Sequence, residues 1–190
     1  MKIGFDFDDV IYNFSGLLFN RMKNITNSKI DLRNREEFFV ENLPGYSKQD
    51  VDRIVHEIML KYWDEGEPLD SAIRGLTYIY NETGEPITMI TCRPFNSMNV
   101  TNKWVEKYSE NQKLFKYELI HTNKKSKAPF IQEKGFKFYV EDRPDIVKDI
   151  QHLVKYIFLI DKSWNRDCCG KNIIRVNNLV DVYQYMSVLE

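Results

Sequence analysis

Three aspartates near the amino terminus have the residue type and the spacing that suit a metal site. The segment KIGFDFDDV (2–10) alternates apolar residues as a β-strand does, and it contains Asp6, Asp8 and Asp9. Side chains two residues apart on a strand point to the same face, so Asp6 and Asp8 project together where the strand ends. Two neighbouring carboxylates with no basic residue beside them need a cation, and their hard oxygen atoms suit Mg²⁺. The sequence therefore predicts a Mg²⁺ site at the edge of the sheet where open α/β folds bind ligands.

Polar residues also follow other apolar segments further along the chain. They are, in order, Thr91 with Cys92-Arg93-Pro94, Lys127 at the start of a helical segment, and Glu141-Asp142-Arg143. Carboxylates for a metal, a hydroxyl group, a lysine and an arginine can together bind a phosphoryl group and stabilise its charge. If the strands end at one edge of a sheet, these residues form a phosphoryl-group site there.

Strand-like and helix-like segments alternate from residue 70 onward. Strands are predicted at 86–91, 118–121, 136–140, 156–160 and 173–176, and helices at 70–80 (capped by Asp70, with Gly84 at its end), 98–108, 126–134, from Pro144, and at 179–189. Strands separated by helices of this length form βαβ units, and hence a mostly parallel sheet that is covered on both faces. The predicted fold class is α/β.

A helical insertion is predicted between the first strand and this alternating part. Apolar spacing indicates helices over 12–24 and 35–42, and a further helix that begins behind Ser47 as its N-cap. Residues 24–34 are polar and are predicted to form a loop. The predicted units are an α/β core and a small helical cap, at residues 1–13 with 70–190 and at 14–69 respectively.

The composition restricts the classes of protein to which the chain could belong. Of 190 residues, 43% are apolar, which is enough for a substantial core, and the net charge of −1 provides no surface for a long nucleic acid. The three cysteines have neither a disulfide pattern nor zinc-site spacing, and no signal segment or membrane-spanning apolar run is visible. We therefore expect a cytoplasmic protein without a membrane partner or a long nucleic-acid partner, and a homodimer stays open.

With these residues in this order, the sequence resembles the haloacid dehalogenase superfamily of phosphatases across its whole strand–helix framework. Four motifs carry the resemblance: D-x-D-x-[VT] at 6–10, a strand-ending Thr at Thr91, a lysine at Lys127, and an acidic pair at Glu141-Asp142. Within the superfamily, Arg143-Pro144 and the segments SWNR (163–166) and IIRVNN (173–178) resemble the 5′(3′)-deoxyribonucleotidase branch.

Two residues depart from the family pattern. Asp9 stands where glycine is commonest, and Glu141 stands where the acidic pair usually begins with aspartate. Aspartate tolerates unusual backbone angles better than most residues do, so Asp9 is compatible with the turn. Glu141 is expected beside the metal ligands rather than among them, where an extra methylene group can be accommodated.

The resemblance implies a Rossmann-like parallel sheet with a small helical cap inserted after the first strand, and it implies a mechanism. Asp6 would attack phosphorus and form an aspartyl-phosphate. Asp8 would give a proton to the leaving oxygen and then take one from water. Mg²⁺ would be bound by Asp6, the main-chain carbonyl of Asp8 and Asp142, although Mn²⁺ suits the same oxygen ligands.

The resemblance also implies binding residues, and two of these assignments leave alternatives open. The phosphoryl oxygens would be bound by Thr91, Cys92 and Lys127. Lys125 lies close to Lys127 in sequence and could be the motif lysine in its place. Arg143 would bind the substrate, or it would pair with a carboxylate such as Asp145.

The expected function is therefore Mg²⁺-dependent hydrolysis of a (deoxy)nucleoside monophosphate, with the 5′ or 3′ position left open. The alternatives are the same reaction on a sugar phosphate or a nucleic-acid end, and a non-catalytic protein that binds a phosphorylated ligand. Aromatic residues of the insertion could stack on a nucleobase or belong to the core; they are Phe14, Phe19, Tyr62 and Trp63.

Overall fold

A parallel β-sheet with helices on both faces forms the centre of the molecule, which confirms the predicted α/β class. The computed structural model describes residues 2–23 and 31–189. The strands are β1 (Ile3–Phe5), β2 (Ile87–Thr91), β3 (Tyr117–His121), β4 (Phe138–Glu141), β5 (Tyr156–Ile160) and β6 (Ile173–Val176). The helices are α1 (Phe14–Met22), α2 (Lys48–Leu60), α3 (Ala72–Thr83), α4 (Met98–Tyr108), α5 (Ala128–Lys134), α6 (Pro144–Ile150) and α7 (Leu179–Leu189).

The order of the strands creates a crevice beside the first strand. The described strands are parallel in the order β3-β2-β1-β4-β5-β6. The chain passes from β1 to β2 and β3 on one side, and then returns to β4 on the other side of β1. Such a reversal leaves an open crevice at the carboxyl ends of the strands. Phe5 pairs with Val140, so Asp6 and Glu141 follow next to each other at that crevice.

Apolar residues cover both faces of the sheet. Every residue of β2 and β4 is buried, which is the pattern of parallel strands with helices on both sides. One face packs on helices α5 and α6 through a cluster whose members include Ile90, Ile131, Tyr139, Val147 and Leu159. The other face belongs to a larger cluster that continues into helices α1 to α4 and α7. The sheet is therefore a rigid support for the loops at its carboxyl edge.

Several helix ends occur at residues that the sequence marks. Ser47 is the N-cap of α2, and its hydroxyl oxygen accepts a hydrogen bond from the backbone N–H of Asp50 (3.1 Å). Gly84 and Gly135 follow α3 and α5 with φ values of 67° and 63°. Only glycine adopts this left-handed conformation without steric cost, so it ends both helices where expected.

The prediction that Asp70 caps the third helix is wrong. Helix α3 begins at Ala72, and its N-cap is Ser71, whose φ of 62° is in the left-handed region. The isolated bridge between Tyr12 and Pro68 fixes the chain just before this point. Tertiary contacts of the preceding strand-like segment therefore set the start of α3, rather than the local capping preference of Asp70.

The predicted helix over 35–42 is also wrong, because only Val40–Asn42 forms a short 3₁₀ turn. The buried Arg35 explains the difference. Its guanidinium donates hydrogen bonds to the carbonyl oxygens of Leu32 (2.6 Å) and Phe38 (3.1 Å), which hold the segment in an irregular conformation. Of the loop predicted over 24–34, residues 24–30 lie outside the described residues, and Leu32–Asn34 forms another 3₁₀ turn.

Within its described residues, the insertion between β1 and α3 contains two helices that pack together, α1 and α2. Helix α2 buries Val51, Ile54 and Ile58 on one face. This arrangement is what the predicted cap over 14–69 requires, and the division into core and cap stays a prediction. Within the described part of the chain, no helix is both long enough and apolar enough to cross a lipid bilayer.

Candidate active site

A buried lysine joins two carboxylates at the carboxyl ends of β1 and β4. The Nζ atom of Lys127 lies 2.6 Å from Oδ1 of Asp6 and 2.8 Å from Oε2 of Glu141. All three residues are almost completely buried. Lys127 directly precedes α5, whereas Lys125 lies on the exposed turn before it. The structure therefore brings Lys127, rather than Lys125, to the predicted nucleophile.

Burial and mutual repulsion shift the pKa values of these groups. Burial, together with the neighbouring Glu141, raises the pKa of Asp6 to about 7, although Lys127 acts in the opposite direction. Burial alone would lower the pKa of Lys127, but Asp6 and Glu141 outweigh it and raise that pKa well above its ordinary value. Lys127 is therefore a permanent cation in this site, and Asp6 needs further positive charge to stay ionised at neutral pH.

One carboxylate oxygen of Asp142 indicates where a further positive charge could bind. Its Oδ2 accepts a hydrogen bond from Nε1 of Trp164 (3.2 Å), while Oδ1 is buried and has no hydrogen-bond partner among the described residues. Burial, then Glu141 and Asp6, raise the pKa of Asp142 well above its usual range. An unpartnered oxygen in this setting is costly unless it takes a proton or binds a cation.

The carboxylates of Asp6, Glu141 and Asp142 are close enough to hold one metal ion, because one oxygen from each lies within 4.8 Å of the others. Glu141 already has contacts for both of its oxygens. Oε2 binds Lys127, and Oε1 accepts hydrogen bonds from the backbone N–H groups of Asp142 (3.1 Å) and Arg143 (3.3 Å). The donor set therefore fits a hard divalent cation.

Asp8 is held by Arg93, which follows β2 among the polar residues noted in the sequence but for which no role or partner was predicted. Nη2 of Arg93 lies 2.7 Å from Oδ1 of Asp8, and Nε lies 3.0 Å from Oδ2. The Arg93 side chain is 1% exposed, whereas that of Asp8 is 25% exposed and lines the cavity. The two residues are 85 positions apart, so only the position of Arg93 directly after Thr91-Cys92 could have drawn attention to it.

Thr91 at the end of β2 and Cys92 after it differ in their relation to the cavity. Thr91 is buried, and its Oγ1 accepts a hydrogen bond from the backbone N–H of Arg93 (3.2 Å), as a hydroxyl that caps a turn does. Cys92 lines the cavity, and burial raises the pKa of its thiol, which keeps the group neutral. Phosphate binding by these two residues stays a prediction.

Arg143 also lines the cavity, and it pairs with the acidic residue that the sequence analysis considered as its alternative partner. Its Nη2 lies 2.6 Å from Oδ2 of Asp145, and its guanidinium lies 4.5 Å from the ring centroid of Phe38. One face of the guanidinium is therefore already occupied by an aromatic ring. Substrate binding by Arg143 stays a prediction.

Part of the cavity lining is apolar and belongs to the insertion. The side chains there are Phe14, Leu18, Phe38, Phe39, Val40, Val51, Val55 and Met59. Of the four aromatic residues proposed from the sequence, only Phe14 is among them. Tyr62 instead lies under the guanidinium of Arg21, and the Trp63 carbonyl accepts a hydrogen bond from Tyr12. Phe38 and Phe39 were missed because the predicted helix over 35–42 is instead an irregular segment, whose path places these two rings at the cavity.

The turn after β1 has the backbone conformation that Asp9 was expected to tolerate. Its φ is 56°, and its carboxylate accepts hydrogen bonds from the backbone N–H (2.9 Å) and the hydroxyl of Ser15. Ser15 in turn accepts a hydrogen bond from Nη1 of Arg35 (2.8 Å). The Arg35 guanidinium lies 4.1 Å from the ring centroid of Trp164, the residue that donates to Asp142. Arg35 and Trp164 therefore connect the insertion to the candidate metal site.

Comparison with known proteins agrees with this arrangement. No protein-family model matches the chain. The structure resembles a "putative beta-phosphoglucomutase" from Thermotoga maritima, with a TM-score of 0.63, 13% identity and 100% of both chains covered. It also resembles a HAD hydrolase of family IA, variant 3, from Entamoeba histolytica, with a TM-score of 0.55, 15% identity, and 96% and 99% of the two chains covered. The fold is that of the haloacid dehalogenase (HAD) hydrolases.

The HAD fold places the ends of β1 and β4 together, which accounts for the proximity of Asp6 and Asp142. A sequence relative from Oceanobacillus iheyensis bears the name "Putative nucleotidase". It is 21% identical over 187 residues, which cover 97% of this chain and 98% of that protein. The similarity therefore extends over the insertion as well as the α/β core.

Proposed function

We propose that this protein is a divalent-metal-dependent phosphatase that hydrolyses nucleoside monophosphates. The contact between Lys127 Nζ and Asp6 Oδ1, at 2.6 Å in a buried site that opens to a cavity, carries the proposal. Lys127 favours the ionised form of Asp6, although a further positive charge is needed to offset burial and Glu141, and the same ammonium group attracts an anionic phosphate. The HAD fold and the four motifs support the same reaction.

Asp6 is the nucleophile in this proposal. One of its carboxylate oxygens bonds to phosphorus while the bond between phosphorus and the leaving oxygen breaks, and an aspartyl-phosphate forms. Lys127 neutralises Asp6 before the reaction and binds a phosphoryl oxygen during it. Water then attacks phosphorus, which releases inorganic phosphate and restores Asp6. Thr91 and Cys92 are the proposed neighbours of the phosphoryl oxygens.

A divalent cation fits the acidic cluster, and we propose Mg²⁺. Asp6 and Asp142 would hold it together with the main-chain carbonyl of Asp8, and Glu141 would orient Lys127 and the loop after β4. When bound, the cation supplies positive charge that reduces the repulsion between the carboxylate and the phosphate. The unpartnered Oδ1 of Asp142 is the observation that favours this assignment.

Asp8 is the proposed proton donor and acceptor. Its side chain lines the cavity and follows Asp6 by two residues, so it reaches the leaving oxygen on the cavity side of the phosphate. Asp8 gives a proton to that oxygen in the first step and receives one from water in the second. This exchange leaves the enzyme in its starting protonation state after each turnover.

Nucleoside monophosphates are the proposed substrates because the insertion presents apolar rings to the cavity. Phe14, Phe38 and Phe39 offer faces on which a nucleobase can stack. Arg143 lines the same cavity, with its guanidinium 4.5 Å from the ring centroid of Phe38, and it can contact the sugar or the phosphate. The name of the relative from Oceanobacillus iheyensis supports the same class of substrate.

Phosphate release from a substrate panel tests this proposal. The panel contains 5′- and 3′-(deoxy)nucleoside monophosphates and sugar phosphates, each assayed with Mg²⁺ and with EDTA. We expect release that requires Mg²⁺ and is fastest with nucleotides. Release from sugar phosphates alone would contradict the substrate assignment. Binding of nucleotides without any turnover would contradict the enzymatic assignment.

A further inference from the structure

We infer that Arg93 is a positioning residue that orients the Asp8 carboxylate for proton transfer. The inference rests on the proposed function, in which Asp8 exchanges protons with the leaving oxygen and with water. Neither the four motifs nor the similar proteins assign a role to Arg93. The inference depends on the geometry of the pair and on how firmly Arg93 itself is held.

Arg93 contacts the two oxygens of Asp8 unequally. Oδ1 accepts hydrogen bonds from Nη2 (2.7 Å) and Nε (3.2 Å), whereas Oδ2 accepts one from Arg93, from Nε (3.0 Å). A two-point contact between a planar guanidinium and a planar carboxylate fixes the rotation of the carboxylate, which a single contact does not. The pair therefore holds Asp8 mainly by Oδ1 and leaves Oδ2 with capacity for another partner.

Arg93 is held in place from three further directions. Its guanidinium carbon lies 4.7 Å from the ring centroid of Phe7 and 4.6 Å from that of Tyr12, and Nη1 lies 3.3 Å from Oγ1 of Thr101. These contacts come from the segment that follows β1 and from α4. Because Arg93 is buried and fixed in this way, it orients Asp8 before a substrate enters the cavity.

Both proton transfers can use Oδ2 while Arg93 keeps Oδ1. In the first step, Asp6 bonds to phosphorus, the ester P–O bond breaks, and the leaving oxygen takes the proton from Oδ2. In the second step, a water oxygen bonds to phosphorus, the bond between phosphorus and Asp6 breaks, and the water proton goes to Oδ2. Arg93 exchanges no proton and touches no reacting atom in either step.

The leaving-group dependence of Arg93→Met tests this role. An aryl phosphate loses a stable phenolate and needs little protonation, whereas a nucleoside monophosphate loses an alkoxide and depends on Asp8. Single-turnover release of the alcohol measures the first step alone. We expect Arg93→Met to slow release from the nucleotide at least about tenfold more than release from 4-nitrophenyl phosphate.

Four control variants separate positioning from structural support. Asp8→Asn should show the same selective loss, and adding Arg93→Met to it should cause no further selective loss, because Arg93 acts through Asp8. Lys124→Met removes another cation from the lining of the same cavity and should affect both substrates alike. Arg93→Lys keeps the charge without the two-point contact, and it repeats the test if Arg93→Met does not fold.

Three outcomes would overturn the inference. Equal slowing of both substrates by Arg93→Met or Arg93→Lys would show structural support only. A further selective loss in the double variant would show that Arg93 does not act through Asp8. If the wild-type protein releases no alcohol from either phosphate, the proposed function fails and this inference fails with it. The first two outcomes require a wild type that hydrolyses both phosphates, so they overturn the inference without overturning the proposed function.

Discussion

Three carboxylates and one ammonium group meet at the centre of the candidate site, and this imbalance determines its chemistry. If Asp6, Glu141 and Asp142 were all ionised, Lys127 would leave a net charge of −2 in a buried volume. Burial makes this arrangement unfavourable unless protons or a cation balance the charge. The same burial and the repulsion between the carboxylates raise the pKa values of Asp6 and Asp142. Charge that is costly in the resting protein is useful for binding a metal and a reacting phosphate.

Replacing Lys127 with methionine should abolish activity and destabilise the protein. The substitution leaves Asp6 and Glu141 buried without their common partner, which we expect to cost roughly 3 kcal/mol of unfolding free energy. Phosphate release and urea-induced unfolding measure the two effects. Lys125→Met is the matched control, because the exposed Lys125 side chain should be dispensable for both. Loss of activity in Lys125→Met but not in Lys127→Met would contradict the assignment.

The sequence predicted the proximity of Asp6, Lys127 and Asp142 because each follows or precedes a regular element whose end must lie at the carboxyl edge of the sheet. It did not predict the partners of Arg93 and Arg35. Both arginines act through side-chain contacts between distant segments, and no local spacing encodes such contacts. Sheet topology places the first group of residues, whereas side-chain packing places the two arginines.

At the scale of elements, helices α3 and α7 pack closely against each other. A Cβ atom at Gly75 would lie 2.5 Å from the carbonyl carbon of Leu179 and 2.6 Å from its Cβ. Glycine therefore allows the two helices to approach more closely than any other residue would. The helical spacing of α3 was readable from the sequence, but the reason for glycine at this position required the tertiary structure.

Gly75→Ala should destabilise the protein by about 1–3 kcal/mol, although alanine favours a helix more than glycine does. The expected loss arises because backbone atoms of α7 would have to move. Chemical denaturation measures it, with the exposed Asn81→Ala on the same helix as a control that should not destabilise the protein. Equal or greater stability of Gly75→Ala would show that α7 relaxes without cost.

The irregular segment before α2 shows where pattern-based prediction fails at this scale. Residues 35–42 have a helix-like spacing, yet the buried Arg35 satisfies the carbonyls of Leu32 and Phe38 with its side chain. The same arginine contacts Ser15 and Trp164. A residue that connects the insertion to the core therefore overrides local helical preference, and it brings Phe38 and Phe39 to the cavity.

At the scale of the whole molecule, the strand order that builds the crevice also concentrates acidic residues in it. This arrangement couples stability to protonation when no metal is bound. The folded-state pKa of Asp6 is raised from 3.8 to about 7, so between these values the folded protein retains a proton that the unfolded chain has lost. The contribution of Asp6 to the free energy of unfolding therefore falls as the pH rises from about 4 to about 7.

The stability difference between Asp6→Asn and wild type should reveal this coupling. In EDTA, the melting temperature of Asp6→Asn relative to wild type should increase as the pH is raised from 4.5 to 7.5, about the range over which Asp6 titrates. Thermal melts at a series of pH values measure the difference, and subtracting wild type cancels the other titrating groups. A difference that does not change with pH would contradict a raised pKa for Asp6.

Phosphate release by Asp6→Asn tests the central claim most directly. Wild type and variant are assayed with Mg²⁺ on the nucleotide that wild type hydrolyses fastest, after circular dichroism has shown that both are folded. We expect the variant to be slower by at least about 10³-fold, because asparagine cannot form the bond to phosphorus. A folded variant that retains a substantial fraction of wild-type release would contradict Asp6 as the nucleophile, and with it the proposed mechanism.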